Sequence, residues 1–213
     1  MSQGLDIVVC GLSGQGVILA SRILSAAYSE AGLEVKLTEV PGIKHRYTLT
    51  TSFIRVGEGK HAPRISEGAA HLLLGFEPFE TLRVGLRYCR EGASVVYNSR
   101  IIETRHITSR TRDEDRLRMP EPADMRNYFA QIAIDDVRPI DATRLAIDRF
   151  ANVKTQNVIM VGAAFATGKL LLEAEMLERV VQRLAPRGTA ELNLSAFRCG
   201  IEEATASDYS AAG

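Results

Sequence analysis

Gly11, Gly14 and Gly16 stand at offsets 0, 3 and 5 in Gly11-Leu12-Ser13-Gly14-Gln15-Gly16, directly after the apolar run Ile7-Val8-Val9-Cys10. A helical pattern opens immediately behind them at Val17. A buried strand, a glycine-rich turn and a helix start leave several backbone N–H groups without partners inside the helix. Such a surface can receive an anion or a polar loop of another chain.

Several sharper chemistries fail on spacing. A dinucleotide fingerprint needs glycines at offsets 0, 2 and 5, so that the backbone can approach a pyrophosphate, and offset 2 here is Ser13. Glu39 sits roughly where a ribose-binding carboxylate belongs, which is a weak signal by itself. A nucleophile elbow needs glycine two residues after the serine, where Gln15 stands. Gly162 to Lys169 imitates a phosphate loop, but five residues separate its glycines where four are required, and Leu170 replaces the hydroxyl residue. The four histidines, His45, His61, His71 and His106, show no metal-ligand spacing. Glu67, Glu77 and Glu80 flank strand ends, where carboxylates either do acid–base work or start helices. Lys44-His45-Arg46 follows the turn dipeptide Pro41-Gly42 and makes the most functional-looking loop by composition.

These residues need a scaffold. Val17, Ala20, Ile23, Leu24 and Ala27 recur at helical spacing up to Ala31-Gly32, with Gly32 as the residue just past the helix end. A strand over 34–40 completes a βαβ unit, expected to be parallel. Thr50 to Val56 is a strong strand, and Gly57-Glu58-Gly59-Lys60 predicts a hairpin-type turn into a short strand at 61–63. Strands at 70–76, 93–97 and 137–140 and helices at 79–86 and 143–150 follow. Three further helical patterns run from Val158, Leu177 and Glu191. The expected fold is a three-layer α/β/α Rossmann-like domain over residues 1–205, with a mixed, mostly parallel sheet and a helical C-terminal part. Residues 100–127 are rich in arginine and acids and poor in apolar residues, which predicts a charged surface excursion, and 206–213 a flexible tail.

Composition removes other classes. Twenty-six basic residues balance twenty-six acidic ones, so no global field favours nucleic acid or an anionic membrane. There is no tryptophan, no apolar run of membrane length and no signal-peptide order at the N-terminus, so a cytoplasmic protein is expected. Cys10, Cys89 and Cys199 lie far apart, which argues against a self-contained iron–sulfur cluster or zinc ribbon. Cys10 reads as a small core residue and no cysteine as a nucleophile.

The whole pattern is more telling than any one motif. Cys10-Gly11-Leu12-Ser13-Gly14-Gln15-Gly16-Val17-Ile18-Leu19-Ala20-Ser21-Arg22-Ile23-Leu24 resembles the start of the gamma subunit of 2-oxoacid (pyruvate):ferredoxin oxidoreductases, G-x-G-G-Q-G-x-x-x-A-x-x-I-L. Further matches come in order: Glu39-Val40-Pro41-Gly42, Ser52-Phe53-Ile54-Arg55-Val56-Gly57 and Leu74-Gly75-Phe76-Glu77-Pro78-Phe79-Glu80. Gln156-Asn157-Val158-Ile159-Met160-Val161-Gly162-Ala163 and the stretch from Glu191 to Gly200 extend the similarity over nearly the full length. Phe76-Glu77-Pro78 and the stand-alone length are most similar to the beta subunit of the indolepyruvate type. At the loop after the second strand the family's Ser-Gln-Arg-Gly-Gly is Lys44-His45-Arg46-Tyr47-Thr48, which keeps Arg46 and loses both glycines. Ser13 likewise replaces the family's second glycine.

The resemblance implies a subunit of an enzyme that oxidatively decarboxylates an indolepyruvate-type or other 2-oxoacid to an acyl-CoA. It implies that thiamine diphosphate, coenzyme A and iron–sulfur clusters belong to the complex, on partner subunits, with ferredoxin as electron acceptor. It leaves homodimerisation open to the isolated chain. Gly11, Ser13, Gly14, Gln15, Gly16 and Arg46 are the expected cofactor-contacting residues, with Arg55 adding charge nearby. Two other readings stay open: a regulatory module that kept the fold, prompted by the altered 44–48 loop and the charged 100–127 segment, and an independent nucleotide-binding oxidoreductase.

Overall fold

The computed structural model describes residues 4–40, 49–59, 62, 64–101 and 122–210. The elements run β1 (Leu5–Leu12), α1 (Val17–Glu30), β2 (Val35–Val40), β3 (Leu49–Val56), β4 (Ala70–Gly75), α2 (Pro78–Tyr88) and β5 (Cys89–Asn98). They continue with α3 (Pro122–Ala130), β6 (Asp136–Ile140), α4 (Ala142–Phe150), a 3₁₀ turn (Val153–Thr155), α5 (Gln156–Phe165), α6 (Ala174–Leu184) and α7 (Ala190–Ser210).

Side chains alternate across a strand, so the apolar run of β1 feeds two cores at once. Ile7 and Val9 point into a core shared with α1, α4, α5, α6 and α7. Val8 and Cys10 point into the other, shared with α2 and α3. All four are fully buried, and a fully buried valine or isoleucine side chain is worth about 1.5–3 kcal/mol. The sheet is therefore the middle of three layers, as the sequence predicts.

Strand order is β2-β3-β1-β4-β5-β6. β4 runs parallel to β1, β5 to β4 and β6 to β5. β3 is antiparallel to both β1 and β2. The sheet is thus mixed and mostly parallel, but the expected βαβ unit is split. β2 has the same sense as β1, yet β3 lies between them. Gly32 ends α1 as predicted, with φ +78° and the Leu33 N–H donating back to the Tyr28 carbonyl at 3.1 Å.

Three expectations meet the structure differently. β3 has β1 and β2 as its neighbours among the described strands, and residues 61 and 63 of the expected short strand at 61–63 lie outside the described set. Residues 102–121 of the expected excursion also lie outside it, while α3 starts within the 100–127 range and buries Met125 completely. Helix α7 continues through Ser210, into the stretch read as a tail.

Helices α5 and α7 cross almost backbone to backbone. A Cβ added to Gly162 would lie 2.0 Å from the Phe197 carbonyl oxygen, and one added to Gly200 would lie 1.9 Å from that of Ile159. Close approach, not helix propensity, explains both glycines. The crossing fixes where both helices start, and both starts face the glycine turn.

Candidate functional site

The turn sits where the sheet's connections diverge. After β1 the chain passes to α1 on one face, and after the neighbouring β4 it passes to α2 on the other. Ligands of open α/β sheets bind beside such a divergence, at the carboxyl ends of the strands. Here the crevice itself is closed by Gln15, only 6% exposed. Its Nε2 donates to the Phe76 carbonyl at 2.8 Å, and its Oε1 accepts the Leu12 N–H at 2.6 Å. The Phe76 N–H in turn donates to the Cys10 carbonyl at 2.8 Å.

Beside the turn lies a cavity of about 420 Å³, lined by Gly14, Gln15, Gly16 and Leu19, by Asn152 to Asn157, and by Pro186, Thr189 and Asn193. Three helix starts converge on it: α1, the 3₁₀ turn leading into α5, and α7. Gly16 precedes α1 in the left-handed region with no side-chain cap, and the first turns of α1 and α5 carry no acid. The first N–H groups of a helix, with its dipole, favour negative charge. Lys154 adds a cation at the rim, and none of the described lining residues is acidic. One lining side chain is incompletely bonded: the buried Asn157 Oδ1 has no hydrogen-bond partner. The arrangement suits a ligand with acceptor oxygens for the N–H groups and a donor for Asn157.

Of the expected residues, Gly14, Gln15 and Gly16 line this cavity, while Gly11 and Ser13 do not. Gly11 is a packing glycine, since an added Cβ would meet Phe76 Cβ at 2.7 Å and Gln15 Oε1 at 2.9 Å. Gln15 spends its amide on the backbone, so it shapes the turn rather than offering a side chain to a ligand. Arg46 and the rest of the 41–48 loop lie outside the described residues. Arg55 is displaced from the site. It pairs with Asp6 at 3.0 Å and donates to the carbonyls of Ala62 and Arg64. In register it sits opposite Asp6, five residues from Gly11, about 17 Å along the strand. Glu39 is held by Arg22 through contacts of 2.9 and 3.2 Å and is not offered to a ribose.

The far wall, Asn152 to Asn157 with Thr189 and Asn193, was not singled out as a site. Its available signal was a run of short polar residues at helix starts, the usual capping types. Asn152 Oδ1 indeed accepts the Lys154 N–H at 3.1 Å, and Asn193 Nδ2 donates to the Thr189 carbonyl at 2.8 Å.

On the other face, Glu77 caps α2 by accepting the Glu80 N–H at 2.9 Å. It is 1% exposed, and Oε1 has no partner. Burial is the main reason its carboxyl is pushed up to about 7, with the Glu80 charge adding to this and the Glu80 and Phe79 N–H groups opposing it. Glu80 is also buried and is clamped by Arg83 at 2.7 Å. Both glutamates therefore serve the helix start. The thiols are poor metal ligands. Burial raises Cys10 well above the usual thiol range and Cys89 to about 12. Burial also raises Cys199. Among the described residues no group of three His, Cys, Asp or Glu could hold a metal ion. No helix among them is long and apolar enough to cross a membrane.

Known proteins place this fold. The chain is 31% identical to "Indolepyruvate oxidoreductase subunit IorB" of Methanothermobacter thermautotrophicus, over 95% of this chain and 98% of that one. It is 29% identical to the protein of the same name from Thermococcus kodakarensis, over 93% and 95%. Among solved structures, a keto/oxoacid ferredoxin oxidoreductase gamma subunit from Geobacter sulfurreducens superposes with a TM-score of 0.67 at 20% identity, covering 95% of this chain and 99% of that one. Pyruvate oxidoreductase subunit PORC from Thermotoga maritima gives 0.68 at 17% identity, covering 95% and 97%. A sequence model described as pyruvate ferredoxin/flavodoxin oxidoreductase matches residues 6–203. With the glycine turn, the mixed sheet and this near-complete match together, the chain belongs to the pyruvate ferredoxin/flavodoxin oxidoreductase family.

Proposed function

We propose that this chain is the non-cluster subunit of an indolepyruvate-type 2-oxoacid:ferredoxin oxidoreductase, a cytoplasmic complex that oxidatively decarboxylates its substrate to an acyl-CoA. The observation that carries this is the 29–31% identity to relatives named as indolepyruvate oxidoreductase subunits, matched over 95–98% of their length.

The residues fit part of the cofactor set. A phosphate-bearing group, such as the diphosphate of thiamine diphosphate or a phosphate of coenzyme A, suits the cavity at the turn. There Gly14 and Gly16 present backbone, α1 and α5 present helix starts, and Lys154 offers a cation. Gln15 keeps that backbone in place through its bonds to Leu12 and Phe76. Gly11 and Ser13 belong to the same turn as shaping residues, and Arg46 is proposed to add charge from the neighbouring loop. The chain then supplies half of a site, whose ligand is held mainly by the thiamine- and cluster-bearing partner. When bound there, thiamine supplies the carbanion stabilisation that decarboxylation requires. Iron–sulfur clusters do not fit this chain, because its three thiols are buried and burial disfavours the thiolate that ligation needs. Electron transfer to ferredoxin therefore rests with the partner.

Co-purifying the chain with the thiamine-bearing subunit, and assaying indolepyruvate-dependent reduction of ferredoxin or a viologen dye, tests this. Activity appearing only with both chains is expected. Equal rates with the partner alone would overturn it.

A further inference from the structure

A chain of hydrogen bonds runs from the glycine turn across the ends of β4 and β5 and comes back to the far wall of the cavity. It begins at the Phe76 carbonyl, which accepts from Gln15 Nε2 at 2.8 Å and, more loosely, from Asn98 Nδ2 at 3.5 Å. Asn98 ends β5, is fully buried, and donates from the same Nδ2 to Thr143 Oγ1 at 2.8 Å. Thr143, in the first turn of α4, donates its hydroxyl proton to Gln156 Oε1 at 2.9 Å. Gln156 opens α5 and lines the cavity.

Backbone at the origin of this chain fixes the direction of every bond in it. A carbonyl only accepts and an N–H only donates. The Phe76 carbonyl on one side, and on the other the Arg100 N–H at 3.4 Å from Asn98 Oδ1, set which way the Asn98 amide faces. The reverse orientation would bring oxygen against oxygen and N–H against N–H. With Asn98 donating, Thr143 Oγ1 is an acceptor on that side, and its single proton is left for Gln156. Gln156 therefore presents Oε1 to Thr143 and turns Nε2 away from it.

That Nε2 donates to none of the described residues. Gln156 is only 9% exposed, so the outlet for its free donor is the cavity it lines. A buried donor without an acceptor is unfavourable, and this one cannot escape by flipping, because its oxygen is held.

We propose that Gln156 Nε2 is a ligand contact, donating to an oxygen of the phosphate-bearing group assigned to the cavity, and that Asn98 and Thr143 are the positioning residues that aim it. The inference rests on the proposed function and deepens it. Helix starts and Lys154 attract negative charge in general, whereas an amide locked by its neighbours fixes where one oxygen sits. The Phe76 carbonyl, shared by Gln15 and Asn98, orients both walls of the cavity from one point. Thiamine diphosphate and coenzyme A both carry suitable oxygens, and the test separates them.

The complex of the full-length chain with its thiamine-bearing partner is assayed by dye reduction, titrating thiamine diphosphate, coenzyme A and the 2-oxoacid in turn. Gln156→Glu keeps an acceptor for Thr143 but puts an oxyanion where Nε2 stood. It is expected to raise the half-saturating concentration of one of the two phosphate compounds about tenfold, with kcat within about twofold of wild type. Thr143→Val, similar in shape but without the hydroxyl, is expected to raise the same constant about threefold, and Thr143→Ser to restore it. The compound affected identifies the source of the phosphate. Arg144→Glu, in an exposed pair beside Thr143 on α4, is the surface control. Should Gln156→Glu fail to fold by circular dichroism, Gln156→Met removes the donor at similar length and is expected to raise the same constant about threefold. Unchanged constants for both phosphate compounds, or a rise confined to the 2-oxoacid, would overturn the contact while leaving the proposed function standing. An equal rise for all three compounds would mark misassembly and overturn it too. Thr143→Ser behaving like Thr143→Val would overturn the positioning role. A wild-type complex no more active than the partner alone would overturn both the contact and the proposed function.

Discussion

Gln15 Nε2 donates to the backbone carbonyl of Phe76 across 2.8 Å, joining the glycine turn after β1 to the start of α2 after β4. One buried amide thereby ties together the two connections that leave the sheet in opposite directions. Replacing Gln15 with leucine strands the Leu12 N–H in a buried place and leaves the Phe76 carbonyl with only the long 3.5 Å bond from Asn98 Nδ2. Each lost partner costs about 1–3 kcal/mol, and each kcal/mol lowers Tm by about 2–4 °C in a chain of this size. A calorimetric Tm within 1 °C of wild type would count against this role.

Gly14 and Gly16 share nearly the same left-handed φ, +95° and +96°, but not the same surroundings. A Cβ on Gly14 meets nothing within 4 Å, whereas one on Gly16 would lie 2.6 Å from Asn157 Cβ. Gly14→Ala is expected to cost about 1 kcal/mol, from backbone conformation alone. Gly16→Ala adds overpacking of about 1–3 kcal/mol. Urea midpoints of the two variants measure the difference, and Gly14→Ala should be the milder.

Gly162→Ala and Gly200→Ala each force a methyl group against a backbone carbonyl that cannot rotate away. Each is expected to destabilise by about 3 kcal/mol or more, at the upper end for overpacking. The double variant should cost less than the sum, because a helix pair already separated by one methyl accommodates the other. Additive urea stabilities would show that the two contacts are independent.

Glu77 gives stability a pH dependence of definite sign. Its carboxyl rises from 4.5 to about 7 on folding, mainly through burial. The native state therefore binds more protons than the unfolded chain within that window, and stability falls as pH rises through it. Glu77→Gln removes this contribution, so wild type minus variant should slope downward between about pH 5 and 7 in Tm scans. A flat difference would show that the carboxylate stays ionised.

Among the described residues, Lys154 is the only cation lining the cavity at the turn. Lys154→Glu reverses it at an exposed rim, so folding should be unaffected while activity of the assembled enzyme falls about tenfold, the value of one charge-assisted contact. Steady-state dye reduction at saturating partner concentration measures this. An unchanged rate would place the anion elsewhere.

Much of this was legible in the chain itself, at the level where local pattern decides. The β1–turn–α1 unit, the α1 stop at Gly32 and the order of the later strands and helices, apart from α3, follow from periodicity and glycine chemistry, and the family from its motifs. Strand adjacency did not follow. The alternation of Thr50 to Val56 announces a strand but not its neighbours or its sense. That single ambiguity also misplaced Arg55. Antiparallel β3 puts Leu49 beside Leu12 and carries Arg55 to the far end of β1; in a parallel strand it would have ended near the turn. The far wall of the cavity was hidden for another reason. Asn152 to Asn157 and Asn193 reach Gly16 only because α5 and α7 cross where they do, and no spacing along the chain encodes that meeting.

The Gly162–Gly200 crossing also bears on when organisational entropy is lost. Two of the three helix starts around the cavity belong to helices that cannot slide past each other, and the third is pinned by Gln15. Their N–H groups are ordered during folding, before any ligand or partner arrives, so association need not bear that cost. A subunit built this way brings a rigid half-mould to the complex.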